Sequence, residues 1–160
     1  MRVSVRKAGA HELDSLMEWR MRVLREVFPP GEGEDRSMME ANNKAYYRRH
    51  LLDNTHTACF AVDEDSDRII GCGGVCYQDE MPSPDNPGGK NGYLMNIYTL
   101  PEYRGEGIGR KIVEFLICDA KDRGTEKIYL ESSDAAKKLY HKLGFSDMQD
   151  YMKLSEKAAR

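Results

Sequence analysis

The chain has 160 residues, enough for one domain with a sizeable core. Its 24 Lys and Arg against 27 Asp and Glu give a net charge of −3, which disfavours general nucleic-acid binding, since phosphates require a basic face. Hydrophobic residues at 40% and charged residues at 32% exclude wholesale disorder, and no apolar run nears the roughly 20 residues of a membrane helix.

In chain order, residues 2–7 alternate Val3 and Val5 with polar neighbours and predict a strand. From His11 to Phe28, the residues Leu13, Leu16, Met17, Met21, Leu24, Val27 and Phe28 recur every three or four positions, the mark of one helix face. Pro29, Pro30 and Gly31 stop that helix. After the acidic loop of Glu32, Glu34 and Asp35, residues 37–52 predict a second helix with Met38, Met39, Ala45, Tyr46 and Leu51 as its apolar members. Residues 57–63 and 68–78 read as strands joined by the polar turn 64–67. The proline and glycine content of residues 81–92 predicts an irregular hairpin loop. A strand over 93–100, a helix from about Gly107 to Arg123 and a strand over 127–131 follow. Residues 133–143 form a helix that Ser133 can cap and Gly144 can close, and one or two short strands lie within 145–154. The expectation is a single α/β domain over 1–160: a mixed, mostly antiparallel twisted sheet of six to seven strands with about four helices.

The most informative segment is Tyr93–Lys111. There a strand runs through a short turn into a helix whose start holds Gly105, Gly107 and Gly109. The first amides of a helix lack intrahelical partners and the helix dipole is positive there, so glycines at that point let backbone N–H groups approach a phosphate. The Walker pattern fails because its second glycine falls on Arg110, and the dinucleotide pattern GxGxxG fails at the same residue. What remains is Arg104-x-x-Gly107-x-Gly109. The stretch PEYRGEGIGRKIVEFL, followed about thirty residues later by LYHKLGF, resembles the GNAT superfamily of acetyl-CoA-dependent N-acetyltransferases.

That resemblance implies acetyl-CoA as cosubstrate with no metal, and roles by position. Backbone amides of Arg104, Gly105, Glu106, Gly107, Ile108, Gly109 and Arg110 would cradle the pyrophosphate. The main chain of Ile97, Tyr98 and Thr99 would pair with the pantetheine arm, with an oxyanion donor near Tyr98. Tyr140 would protonate the leaving thiolate. Ser133 either contacts the cofactor or only caps its helix, and Asp134 stands where many members have Asn. The acceptor would be a small-molecule or peptide amine, and a homodimer is a fold-level expectation. A non-catalytic acyl-CoA sensor on the same fold stays open as the alternative.

The general base has no obvious candidate. Asn96 occupies the strand region where some relatives place a carboxylate, which leaves a water relay, or Asp79 or Glu80. Gly71, Gly73 and Gly74 interrupt a strand, so they either make room for substrate or mark a bulge. Glu32, Glu34 and Asp35 either attract a cationic amine or are simply solvated. The four histidines have no metal-ligand spacing. The N-terminus lacks the apolar stretch of an export signal, and the four cysteines form no CxxC pair, so reduced thiols in the cytoplasm are expected.

Overall fold

The computed structural model describes residues 1–155, so the last five residues of the expected 1–160 domain lie outside the described residues. Five strands, β1 (Val3–Ala8), β2 (His56–Asp63), β3 (Arg68–Asp79), β4 (Lys90–Thr99) and β5 (Lys127–Leu130), form one sheet in the order β1-β2-β3-β4-β5. The first four run antiparallel to their neighbours, and β5 joins β4 in parallel. The helices are α1 (Leu13–Val27), α2 (Ser37–Leu52), α3 (Ile108–Asp122) and α4 (Asp134–Lys142). Short 3-10 turns lead into α1 and follow β4.

The core is the sheet with helices on both faces. Every residue of β2 is buried, as a strand covered on both sides requires. On one face α1 presents Leu16, Trp19 and Val23, and Trp19 packs against Phe60 and Tyr98 at 6.3 and 6.1 Å between ring centroids. On the other face α3 buries Ile112, Val113 and Leu116 completely. A buried carboxylate pins this second face. Asp119 accepts hydrogen bonds from Thr57 and Tyr77 at 2.7 and 2.6 Å and pairs with Lys7 and Arg123, tying α3 to three strands.

Several expectations are corrected. The sheet has five strands among the described residues, not six or seven. Residues 145–154 form no strand: Phe145 packs against the core, but the side chains after it have no buried face to set a register. Met148, Tyr151, Met152 and Leu154 are all exposed, and only Tyr151 leans on β5, its ring 6.3 Å from that of Tyr129. In α2 the buried residue is Tyr47, while Met38 is 77% exposed. The irregular loop stops short of residue 92, since β4 begins at Lys90. There the Glu80 carboxylate accepts from Asn86 and Asn91 at 2.8 and 2.7 Å and draws Lys127 to 3.2 Å, closing the hairpin. Ser133 precedes α4, but its hydroxyl makes no capping bond; its carbonyl accepts from Ala136 and Lys137. Gly144, at φ +95°, does sit at the left-handed end of that helix.

Candidate active site

Pairing between β4 and β5 runs only from Asn91 to Leu94, yet β4 continues five residues further. Along Met95–Thr99 its edge therefore has no strand beside it among the described residues. On the other edge, the β3 pairing is interrupted by a bulge between Cys72 and Gly74, and Asn96 turns the chain at φ +59°.

Main-chain groups alternate sides along a strand. The Leu100 amide donates to Ile70, and the Tyr98 carbonyl also faces β3, 2.8 Å from where a Gly71 Cβ would stand. Alternation leaves Ile97 and Thr99 with their main-chain groups at the open edge, and Tyr98 without. The Thr99 carbonyl there accepts from Arg104 Nε at 3.0 Å.

β4 leads through Pro101–Tyr103 into the glycine loop. The Arg104 amide already donates to Pro101, so the free amides start at Gly105. Gly105 and Gly107 hold φ of +87° and +77°, which L side chains rarely adopt, and a Cβ at either would meet nothing within 4 Å. The α3 ladder opens with Lys111 donating to the Gly107 carbonyl at 3.2 Å. The amides of Ile108, Gly109 and Arg110 precede that bond and have no acceptor in the helix. Donors, positive dipole and open space therefore coincide at one place, the cradle an anionic phosphate needs.

The loop is braced from α1. Glu26 accepts from the Tyr98 hydroxyl at 2.6 Å and from the Arg104 guanidinium at 2.5 Å. The Arg104 bond foremost, then the Tyr98 bond, holds the Glu26 carboxyl below its ordinary pKa. Nothing in the spacing pointed to Glu26, because it lies at the exposed end of its helix.

Beyond the loop, α4 touches the start of α3: Leu139 Cδ2 lies 3.7 Å from where a Gly109 Cβ would be. One residue on, Tyr140 is buried, edge-on to Phe145 at 5.8 Å between centroids. Burial pushes its pKa up, so the hydroxyl keeps its proton at neutral pH. A cavity of about 840 Å³ beside β5 includes Tyr140 and Leu143 but none of the residues from 97 to 110, so it is separate from the loop. Ser133 is exposed and free of the cap predicted for it.

The strand glycines do a different job. A Cβ on Gly73 would lie 2.5 Å from Ile112 Cγ2 and 3.1 Å from Leu116 Cδ1, and one on Gly71 would lie 3.0 Å from Ile112 Cδ1. Gly71 and Gly73 admit α3 to the sheet and make no room for substrate, and the bulge reading holds. Glu80 is no free base: the bonds from Asn91 and Asn86 first, then Lys127, hold its carboxyl at about 2. Glu34 is taken by Arg36 and the Gly31 amide, and Asp35 by the Ser37 amide, so these two acids build their own loop.

On the α1/α2 face, Asn96 Oδ1 accepts from Arg20 Nη1 at 3.0 Å, and Arg20 Nε donates to Asn43 Oδ1 at 2.9 Å. Beside them the Tyr46 hydroxyl lies 2.9 Å from both His56 Nδ1 and Cys76 Sγ. Burial above all lowers the pKa of His56 to about 4, so the ring is neutral. Cys59, Cys72, Cys76 and Cys118 are free thiols, the first three buried. No group of metal ligands occurs among the described residues, and no helix among them is long and apolar enough to cross a membrane.

Residues 13–145 match the family model described as acetyltransferase (GNAT) family. The chain is 30% identical over 92 residues to glucosamine 6-phosphate N-acetyltransferase of Arabidopsis thaliana, covering 58% of this chain and 60% of that protein. It is 34% identical over 113 residues to N-alpha-acetyltransferase 30 of Schizosaccharomyces pombe, covering 69% and 71%. The chain thus spans about three fifths of the first of these relatives. Among solved structures, a predicted acetyltransferase from Clostridium acetobutylicum with acetyl-CoA superposes at a TM-score of 0.84 with 28% identity, covering 96% of both chains.

Proposed function

Because the chain belongs to the GNAT acetyltransferase family, we propose that residues 1–160 act as one domain that moves an acetyl group from acetyl-CoA to a primary amine. One observation carries this reading: the open edge of β4 runs directly into a loop of unpartnered, glycine-exposed amides. The amides from Gly105 to Arg110 would hold the pyrophosphate, and Ile97 and Thr99 would bond the pantetheine arm as an added strand. Ser133 stands free to contact the cofactor.

The chemistry then follows from charge development. The amine nitrogen attacks the thioester carbonyl carbon. The negative charge that gathers on the carbonyl oxygen is met by an N–H of the open edge, at Ile97 or Thr99. The C–S bond breaks as the tetrahedral centre collapses, and the Tyr140 hydroxyl gives its proton to the sulfur. The amine's surplus proton leaves through water: Asn96 stands where a carboxylate base would, Glu80 is locked in its hairpin, and Asp79 lies exposed at the end of β3 opposite Lys90. The products are an amide and free CoA thiol.

Relatives named for glucosamine 6-phosphate, for the N-epsilon of thialysine and for N-alpha acetylation support a primary amine as the shared chemistry. Incubation with acetyl-CoA and a panel of primary amines, followed by thiol detection, tests the proposal. Amine-dependent thiol release is expected. Acetyl-CoA binding without any such release would leave the non-catalytic sensor as the better reading.

A further inference from the structure

Arg20 sits where an arginine is unexpected. It lies four residues after Leu16 and four before Leu24, on the sheet-facing stripe of α1, and is half-buried there. Its neighbours are neutral. Asn43 and Asn96 take Nε and Nη1, and among the described residues no carboxylate lies within salt-bridge distance. Arg6, Arg36, Arg104 and Arg123 are neutralised by Glu12, Glu34, Glu26 and Asp119, and Arg25 and Arg48, which like Arg20 have no ion pair among the described residues, are exposed to solvent. The charge of Arg20 also acts on Tyr46, Tyr47, His56, Cys72 and Cys76, and all five are neutral at pH 7. Of its five N–H donors, those on Nη2 have no acceptor among the described residues.

Two amide side chains thus fix a guanidinium in orientation without cancelling its charge. Its partner Asn96 forms the β4 bulge, one residue before Ile97 on the open edge. A planar fork held in this way is a preorganised receptor for a carboxylate or a phosphate. We propose that Arg20 is a specificity-determining residue that binds an anionic group carried by the acceptor amine, so that the substrate class is an amine bearing a carboxylate or phosphate. This rests on the transferase reading above.

Two measurements test it. First, full-length protein saturated with CoA is titrated with inorganic phosphate and, separately, acetate, following the Arg20 Nε resonance assigned by its loss in Arg20→Gln. CoA saturation keeps phosphate off the glycine loop. A saturable shift with either ion is expected, and the responding ion tells phosphate from carboxylate. No response from a CoA-saturated protein overturns the inference alone, whereas failure of CoA to bind at all overturns the transferase reading. Second, kcat and KM are compared for glucosamine 6-phosphate against glucosamine, and for thialysine against its methyl ester. The anionic member of at least one pair is expected to show a KM at least tenfold lower, and Arg20→Gln to bring that ratio near one. Equal use of both members, or an unchanged ratio in the variant, shows that Arg20 only braces the bulge.

Discussion

Two sets of glycines in this chain look alike in sequence and do opposite work. Gly71 and Gly73 lie in β3 with no space around them; even one carbon more would collide with Ile112. Gly105 and Gly107 lie in a loop with nothing near them, and they are required by a left-handed backbone. The first pair is about how closely a helix can approach a sheet. The second is about which backbone atoms are left bare. Only bare, polar backbone can meet a ligand, so the open pair marks the site and the packed pair marks the scaffold that aims it.

That contrast can be broken or sharpened by substitution. The largest effect is expected at neither pair. Tyr140→Phe should lower kcat by about 100-fold or more, the range of a lost general acid, with acetyl-CoA affinity nearly unchanged. Steady-state kinetics with cofactor titration checks this, and wild-type turnover would remove the role. Gly73→Ala should cost about 1–3 kcal/mol through overpacking against Ile112 and Leu116, visible as a lower denaturation midpoint, with the cofactor Kd unchanged. Gly107→Ala should raise that Kd about tenfold, equivalent to about 1.4 kcal/mol, because it puts a side chain where a phosphate must come close. Equal Kd changes in the two glycine variants would erase the distinction.

The smallest effect lies on the packed face, is fully present at neutral pH and is lost only in acid. Burial works to raise the Asp119 pKa, but hydrogen bonds from Lys7, Tyr77 and Thr57 and the charge of Arg123 outweigh it and hold the carboxyl at about 2. The unfolded chain titrates near the ordinary value of about 3.9. A lowered folded pKa means the network stabilises fully above about pH 4 and loses that contribution as pH falls toward 2. Acid titration of wild type against Asp119→Asn should show this limb only in the wild type.

Much of the architecture is legible in local patterning. The α1 stripe, the bounds of α2 and the glycine loop all follow from periodicity and turn chemistry. What local patterning misses are facts about partners. A glycine within a strand says that something comes close, not what, and Ile112 is forty residues away from Gly71 and Gly73. The tail after Gly144 carries apolar residues, but a strand needs a neighbouring edge to define it. Ser133 precedes its helix as a cap should, yet its hydroxyl makes no such bond. Arg20 did leave a signal, a charge on an apolar stripe, which is legible once the rest of that face is known to be buried. Glu26 left none.

The most direct test of the central claim is thermal stability with and without acetyl-CoA, with ATP and NAD as controls. At 100 times its Kd a ligand should add about 2.7 kcal/mol. For a domain of this size that is a rise of several degrees, at roughly 2–4 °C per kcal/mol. The account predicts that rise with acetyl-CoA alone, diminished in Gly107→Ala and retained in Gly73→Ala. No rise at saturating acetyl-CoA, or an equal one with ATP or NAD, would contradict the phosphate cradle and the transferase reading built on it.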